Sequence, residues 1–242
     1  MTLAKLSAIH LLLLSSLLIA QFDYDSPYNY STWNHELSVL AGIAEHEGRI
    51  LLQGQELAMR WDPEALMQPL NASMHVKYEG RYDWWLLAAS GMASAYTNWQ
   101  ENDPWNNVLL AVDATIGFMP CWDRLYLLVG GRLYYTPIKM MNEADPSITH
   151  EITSRWIEPV VGARYEILLT DRFKARLRGD VGGLELSSNF SWNAELLLRW
   201  SIRNVALDAG IRALNTDVQD AETAFNYDLI TAAAHVGFTF MF

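Results

Sequence analysis

Charged residues of both signs recur at every second position through the C-terminal half of this 242-residue chain. Lys174, Arg176, Arg178 and Asp180 form one run, Arg164 and Glu166 precede it, and Glu195, Arg199, Asp208 and Arg212 follow. Lys77, Glu79, Asp113, Arg124 and Arg132 extend the set upstream. Two chemistries suit interleaved cations and carboxylates of this kind: ion pairing across a shared interior, or a narrow polar passage whose arginines favour anions. Alternation of sign favours pairing. The Arg176/Arg178 ladder is where a selectivity effect would reside.

Hydrolytic chemistry would need a Ser or Thr nucleophile within reach of a His and an orienting acid or amide. Beyond the first twenty residues the histidines are His35, His46, His75, His150 and His235. His46 lies between Glu45 and Glu47 and His150 beside Glu151, but neither stands in a serine motif. A hydroxyl near His46 or His150 with an acid behind it would be the structural sign of an enzyme. Cys121 is the single cysteine, so an internal disulfide and paired-cysteine zinc spacing are excluded. No metal and no cofactor are expected. The net charge of -11 argues against nucleic acid, which is held by clustered basic residues.

The elements that position these charges are strands, because the period is two. From Phe173 to Val181, the apolar or small residues Phe173, Ala175, Leu177, Gly179 and Val181 alternate with Lys174, Arg176, Arg178 and Asp180. Val161, Ala163, Tyr165 and Ile167 repeat the pattern, as do Phe190 to Trp200 and Val205 to Arg212. An amphipathic helix does not hold such a period. About ten candidate strands follow, near 36–46, 69–80, 83–96, 107–118, 124–136, 156–168, 173–183, 190–201, 204–214 and 228–242. Most have the ~9–11 residues that a tilted strand needs to cross a bilayer, whereas past residue 20 no uncharged apolar run approaches the ~20 residues of a spanning helix.

Short links at 80–83, 119–123, 170–172 and 203–204 alternate with longer ones around 47–68, 97–106, 137–155 and 215–227, the pattern of short periplasmic turns and long outer loops. The expected fold is therefore an all-β, antiparallel, up-and-down transmembrane barrel of about ten strands, with eight possible, over residues 34–242. A soluble β-sandwich is the competing architecture. Tryptophans near strand ends, namely Trp84, Trp85, Trp99, Trp105, Trp122, Trp156, Trp192 and Trp200, fit interfacial girdles instead. Residues 1–20 have a short basic start, an apolar stretch and a closing Ala20, the layout of a secretory signal peptide, and 21–33 form a polar, aromatic periplasmic leader. In the last strand Ala232, Ala234, Val236, Phe238, Phe240 and Phe242 are all apolar. This ending is similar to the assembly signal of bacterial outer-membrane proteins, carried here by Phe238, Phe240 and Phe242.

Residues 156–216 resemble a family of small proteobacterial outer-membrane barrel proteins, mostly of unassigned function. The likeness is carried by Pro159-Val160-Val161-Gly162-Ala163-Arg164-Tyr165, Thr170-Asp171-Arg172, Arg178-Gly179-Asp180-Val181-Gly182-Gly183 and Gly210-Ile211-Arg212-Ala213-Leu214. It implies a barrel fold and an outer-membrane location, and brings no catalytic residues. The expected partners are outer-membrane lipid, lipopolysaccharide and, during biogenesis, the barrel-insertion machinery. The functional expectation is a non-enzymatic, porin-like envelope component, structural or narrowly conducting, with a charge-paired lumen. A lipid- or lipopolysaccharide-modifying enzyme with its site at the outer mouth, and a loop-mediated receptor or adhesion barrel, are the alternatives.

Overall fold

In a computed structural model, residues 32–52, 55–59, 72–98, 105–120, 124–141, 149–183, 189–220 and 225–242 are described. The expected signal peptide and nearly all of the leader lie outside them, as do Cys121, Trp99 and Trp122. The described chain forms β1 (Asn34–Leu52), β2 (Gln55–Met59), β3 (Ala72–Tyr82), β4 (Trp85–Asn98), β5 (Trp105–Phe118), β6 (Leu125–Met141), β7 (Thr149–Leu168), β8 (Phe173–Gly182), β9 (Phe190–Ile202), β10 (Val205–Asp220) and β11 (Phe225–Met241).

Each strand pairs antiparallel with its sequence neighbour from β3 to β11, and β1 pairs with both β3 and β11. Those ten strands close a barrel in which each has a hydrogen-bonded neighbour on both sides, as lipid requires of strands that cross a bilayer. The closing ladder runs from Glu36 opposite Met241 to Leu52 opposite Phe225. His35 and Phe242 exchange backbone hydrogen bonds of 2.9 and 3.0 Å at its end, so the first and last strands meet where the chain stops. Short turns lie at this same end. Asp83, Arg124 and Arg203 take positive φ there, the tight-turn geometry that lets neighbouring strands reverse within a few residues.

All ten expected barrel strands are present, but several run farther than expected toward the long-loop end. β1 continues to Leu52, β6 to Met141 and β10 to Asp220, while β7 begins at Thr149 and β11 at Phe225. Polar residues such as Glu47, Arg49, Thr153 and Arg155 point outward along these extensions. Backbone pairing therefore outlasts the apolar alternation that reveals a strand in sequence. The short β2 was not expected. β1 takes β3 along Asn34–Ile43 and β2 along Gly48–Leu52, both on one edge. Gly48 sits at this change of partner with φ +142°, and a Cβ there would lie 2.0 Å from the Asp228 carbonyl oxygen. Only glycine fits.

Candidate functional site: the lumen

The period of two divides the wall into opposite environments. Val129, Ile157, Ile211 and Val236 point outward and are 59–64% exposed. Arg132 and Arg199 point inward and are at most 1% exposed. This inverts a soluble sandwich, whose outward face is polar, and it requires an apolar solvent outside. Trp84, Trp85 and Trp200 stand half-exposed near the short-turn rim, with Trp84 and Trp85 against Phe118 at ring distances of 6.2 and 5.3 Å. Aromatic side chains at that level match a membrane interface.

The chain is a closed, membrane-spanning β-barrel.

No protein-family model matches it, and no curated protein matches it in sequence. Among solved structures it is similar to the attachment invasion locus protein Ail of Yersinia pestis in complex with the heparin analogue sucrose octasulfate (11% identity, 86% of this chain and 99% of that one, TM-score 0.42). It is similar also to the outer membrane protease OmpT from Escherichia coli (8% identity, 91% and 99%, TM-score 0.44) and to Neisserial surface protein A (12% identity, 85% and 96%, TM-score 0.36).

Nearest the short turns, the lumen of this barrel holds a tier built on Arg176 and Arg199. Arg176 donates to Glu36 (3.0 Å) from β1, Glu79 (3.2 Å) from β3 and Glu166 (2.8 Å) from β7. Arg199 grips Asp208 with two parallel bonds of 2.7 Å and reaches Glu36 at 2.6 Å. Arg81 lies 3.0–3.1 Å from Glu36, Glu79 and Glu166. Arg164 bonds Glu166 at 2.5 Å and Glu79 at 3.1 Å, with its guanidinium over the Tyr126 ring, and Lys174 approaches Glu166 at 3.9 Å. Carboxylates from β1, β3, β7 and β10 thus share cations from β3, β7, β8 and β9.

A second tier follows toward the loops. Arg132 donates to Asp113 (2.5 Å) and Asp180 (2.6 Å), while Arg178 also holds Asp180 (2.9 Å). Arg212 donates to Asn193 (2.6 Å) and lies 3.5 Å from Asp113 and 3.0 Å from His75 Nε2. Lys77 bonds Glu195, joining β3 to β9 across the barrel. Glu158 accepts from Tyr134 (3.0 Å) and Ser191 (2.5 Å). Buried ions of this kind persist only when paired and hydrogen-bonded, because desolvation alone costs several kcal/mol per ion.

Above the charges the lumen turns apolar. Tyr134 stacks on Trp156 at 4.9 Å, and Phe225 and Tyr227 close around Trp156 at 6.4 and 5.7 Å. Ile50, Met92, Leu109, Ile138 and Leu214 complete this buried layer. A smaller group, Leu86, Met119, Tyr126 and Leu128, packs nearer the short turns. Trp156 is thereby corrected from an interfacial residue to a lumen plug. It shares the inward parity of Glu158, Arg164 and Glu166, so the period pointed inward even though residue type suggested the girdle.

Every charged residue expected inside between Arg132 and Arg212 lies on the inward face, whereas Arg124 sits in a turn with φ +76° and only half-buried. Glu36, Arg81 and Glu158 were missed, although each continues the parity of a strand already read. Of the histidines, His46 Nδ1 meets Thr231 Oγ1 at 3.0 Å and His235 Nε2 meets Ser73 Oγ at 2.9 Å. The second contact forms because Gly42, between β3 and β11, puts no side chain between them. The His150 side chain lies outside the described set. Phe238, Phe240 and Phe242 all face outward, 48–68% exposed.

Proposed function

We propose that this chain is a sealed, non-enzymatic structural component of the outer membrane, whose interior is a strut and whose surface meets lipid and lipopolysaccharide. The observation that carries this reading is the cross-lumen packing of Arg132 and Arg199, at most 1% exposed, beneath the Trp156 layer. Interior side chains of a small barrel can fill its bore, and here ions, aromatics and aliphatics occupy successive levels. A conducting role would need those pairs to part, which leaves unpaired charge in a low-dielectric interior.

An enzymatic role has little support from the two hydroxyl–imidazole contacts. Ser73, His235, His46 and Thr231 are each at most 4% exposed among the described residues, a burial that a lipid ester would have to open. Beside His235 stands His75, itself bonded to the cation Arg212 rather than to an orienting carboxylate. In this reading Phe238, Phe240 and Phe242 serve insertion and closure and have no part in the work of the finished barrel.

Liposome swelling tests the proposal. Proteoliposomes should stay optically stable in isotonic solutions of small sugars and amino acids. Swelling at a rate proportional to protein content would contradict it.

A further inference from the structure

Between the two charged tiers lies a cavity of about 20 Å3, bordered by Lys77, Glu79, Arg164, Arg176, Arg178 and Glu195. Four cations face two carboxylates there. Both carboxylates are already engaged, Glu195 by Lys77 and Glu79 by Arg81, Arg164 and Arg176. The guanidinium groups are not fully used. Arg164, 2% exposed, turns Nη2 to Glu79 and Glu166, and its Nε and Nη1 make no hydrogen bond to any described residue. Arg178 turns Nε to Asp180 and approaches Asp113 with Nη1 at 3.9 Å, and its Nη2 makes none.

A guanidinium has only donors, so these nitrogens require an acceptor. Leaving a buried charged donor unsatisfied is among the costlier defects in a protein interior. The volume admits a single body of about water size. A water molecule would accept from the arginines but would have to aim its own hydrogens at a wall where cations outnumber carboxylates. A monatomic anion has no hydrogens to place and offsets the local excess of positive charge. Sulfate and phosphate are too large for the space.

We propose that this cavity is a binding site for one halide ion, chloride being the form available in the envelope, held by Arg164 and Arg178 beside Lys77. The ion is a structural part of the charged strut, and the site stands whether or not the lumen conducts.

Bromide is the probe. The detergent-solubilised barrel is exchanged into sodium gluconate, then titrated with sodium bromide at constant ionic strength while thermal unfolding is followed. Crystals grown in bromide are measured at the bromine absorption edge. The expected results are a saturable rise in the unfolding midpoint that sulfate does not reproduce, and one anomalous peak within hydrogen-bonding reach of Arg164 and Arg178. Arg178→Gln should weaken bromide at least tenfold, whereas Arg155→Gln on the outer wall should not. If Arg178→Gln does not fold, Arg164→Lys keeps the charge but removes the Nε and Nη1 donors, and should weaken bromide similarly. Equal stabilisation by gluconate, sulfate and bromide, or anomalous peaks confined to the protein surface with water in the cavity, overturns the proposal.

Discussion

Replacing Arg132 with Met separates the ionic account of the lumen from a purely steric one. The Met side chain keeps much of the aliphatic volume of Arg132 but removes its bonds of 2.5 Å to Asp113 and 2.6 Å to Asp180. Both carboxylates are at most 5% exposed, so water cannot replace the lost cation. Asp113 retains Ser90 at 2.5 Å and the more distant Arg212 and Arg178, and Asp180 retains Arg178 and Asn193. Removing one partner of a buried pair typically costs ~3–5 kcal/mol. For a chain of this size each kcal/mol lowers the unfolding midpoint by roughly 2–4 °C, so a fall of at least ~6 °C is expected. The assay is heat-modifiable gel migration of the refolded barrel, backed by urea unfolding followed through tryptophan fluorescence. Adding Asp113→Asn to Arg132→Met should recover part of the loss, because it removes one stranded charge, with a coupling of roughly 0.5–3 kcal/mol. Arg155→Met, an exposed outer-wall change, should stay within about 0.5 kcal/mol of the parent. If Arg132→Met is as mild as Arg155→Met, the ionic network does not hold the lumen together.

Gly48→Ala should destabilise by about 1–3 kcal/mol, since it forces a side chain into a positive-φ site against the Asp228 carbonyl; Gly179→Ala, with open space around its Cβ, should be near neutral in the same urea titration. Trp156→Ala should cost about 3–5 kcal/mol by emptying the centre of the aromatic layer, read again as a lower urea midpoint. Val129→Lys puts a charge on the lipid-facing wall and should cost about 2–4 kcal/mol in bilayers, with a much smaller penalty for Thr153→Lys on the outer extension. Phe242→Ala removes one of the rings stacked on His35, the one at the closing seam, and should slow assembly into lipid vesicles more than it lowers the stability of the assembled barrel.

Much of the barrel was legible because a strand with lipid on one side and a polar bore on the other must alternate strictly. Lys174, Arg176, Arg178 and Asp180 against Phe173, Ala175, Leu177 and Val181 gave direction as well as strand type. Parity tells which face a residue occupies but not its height or its opposite number, so the Lys77–Glu195 contact between β3 and β9 could not be read from the chain. Trp156 shows where residue type misled: its kind suits an interface, while its position in the period put it in the bore. The outer ends of β1, β7 and β10 escaped because their outward residues are polar, and the β2 segment escaped because five residues carry too little pattern. Arg124 shares the parity of Arg132 and was assigned to the lumen with it, whereas a tight turn holds it at the rim.

Single-molecule conductance across a planar bilayer tests the central claim most directly, because the claim is that packed ion pairs and aromatics close the bore. After insertion of the purified barrel, verified by its heat-modifiable migration, the current should remain at baseline for the parent and for the Arg176→Gln and Arg178→Gln variants. Uniform conductance steps from the parent at modest voltage, changed in anion preference by either substitution, would contradict a sealed lumen and replace it with an anion-conducting pore.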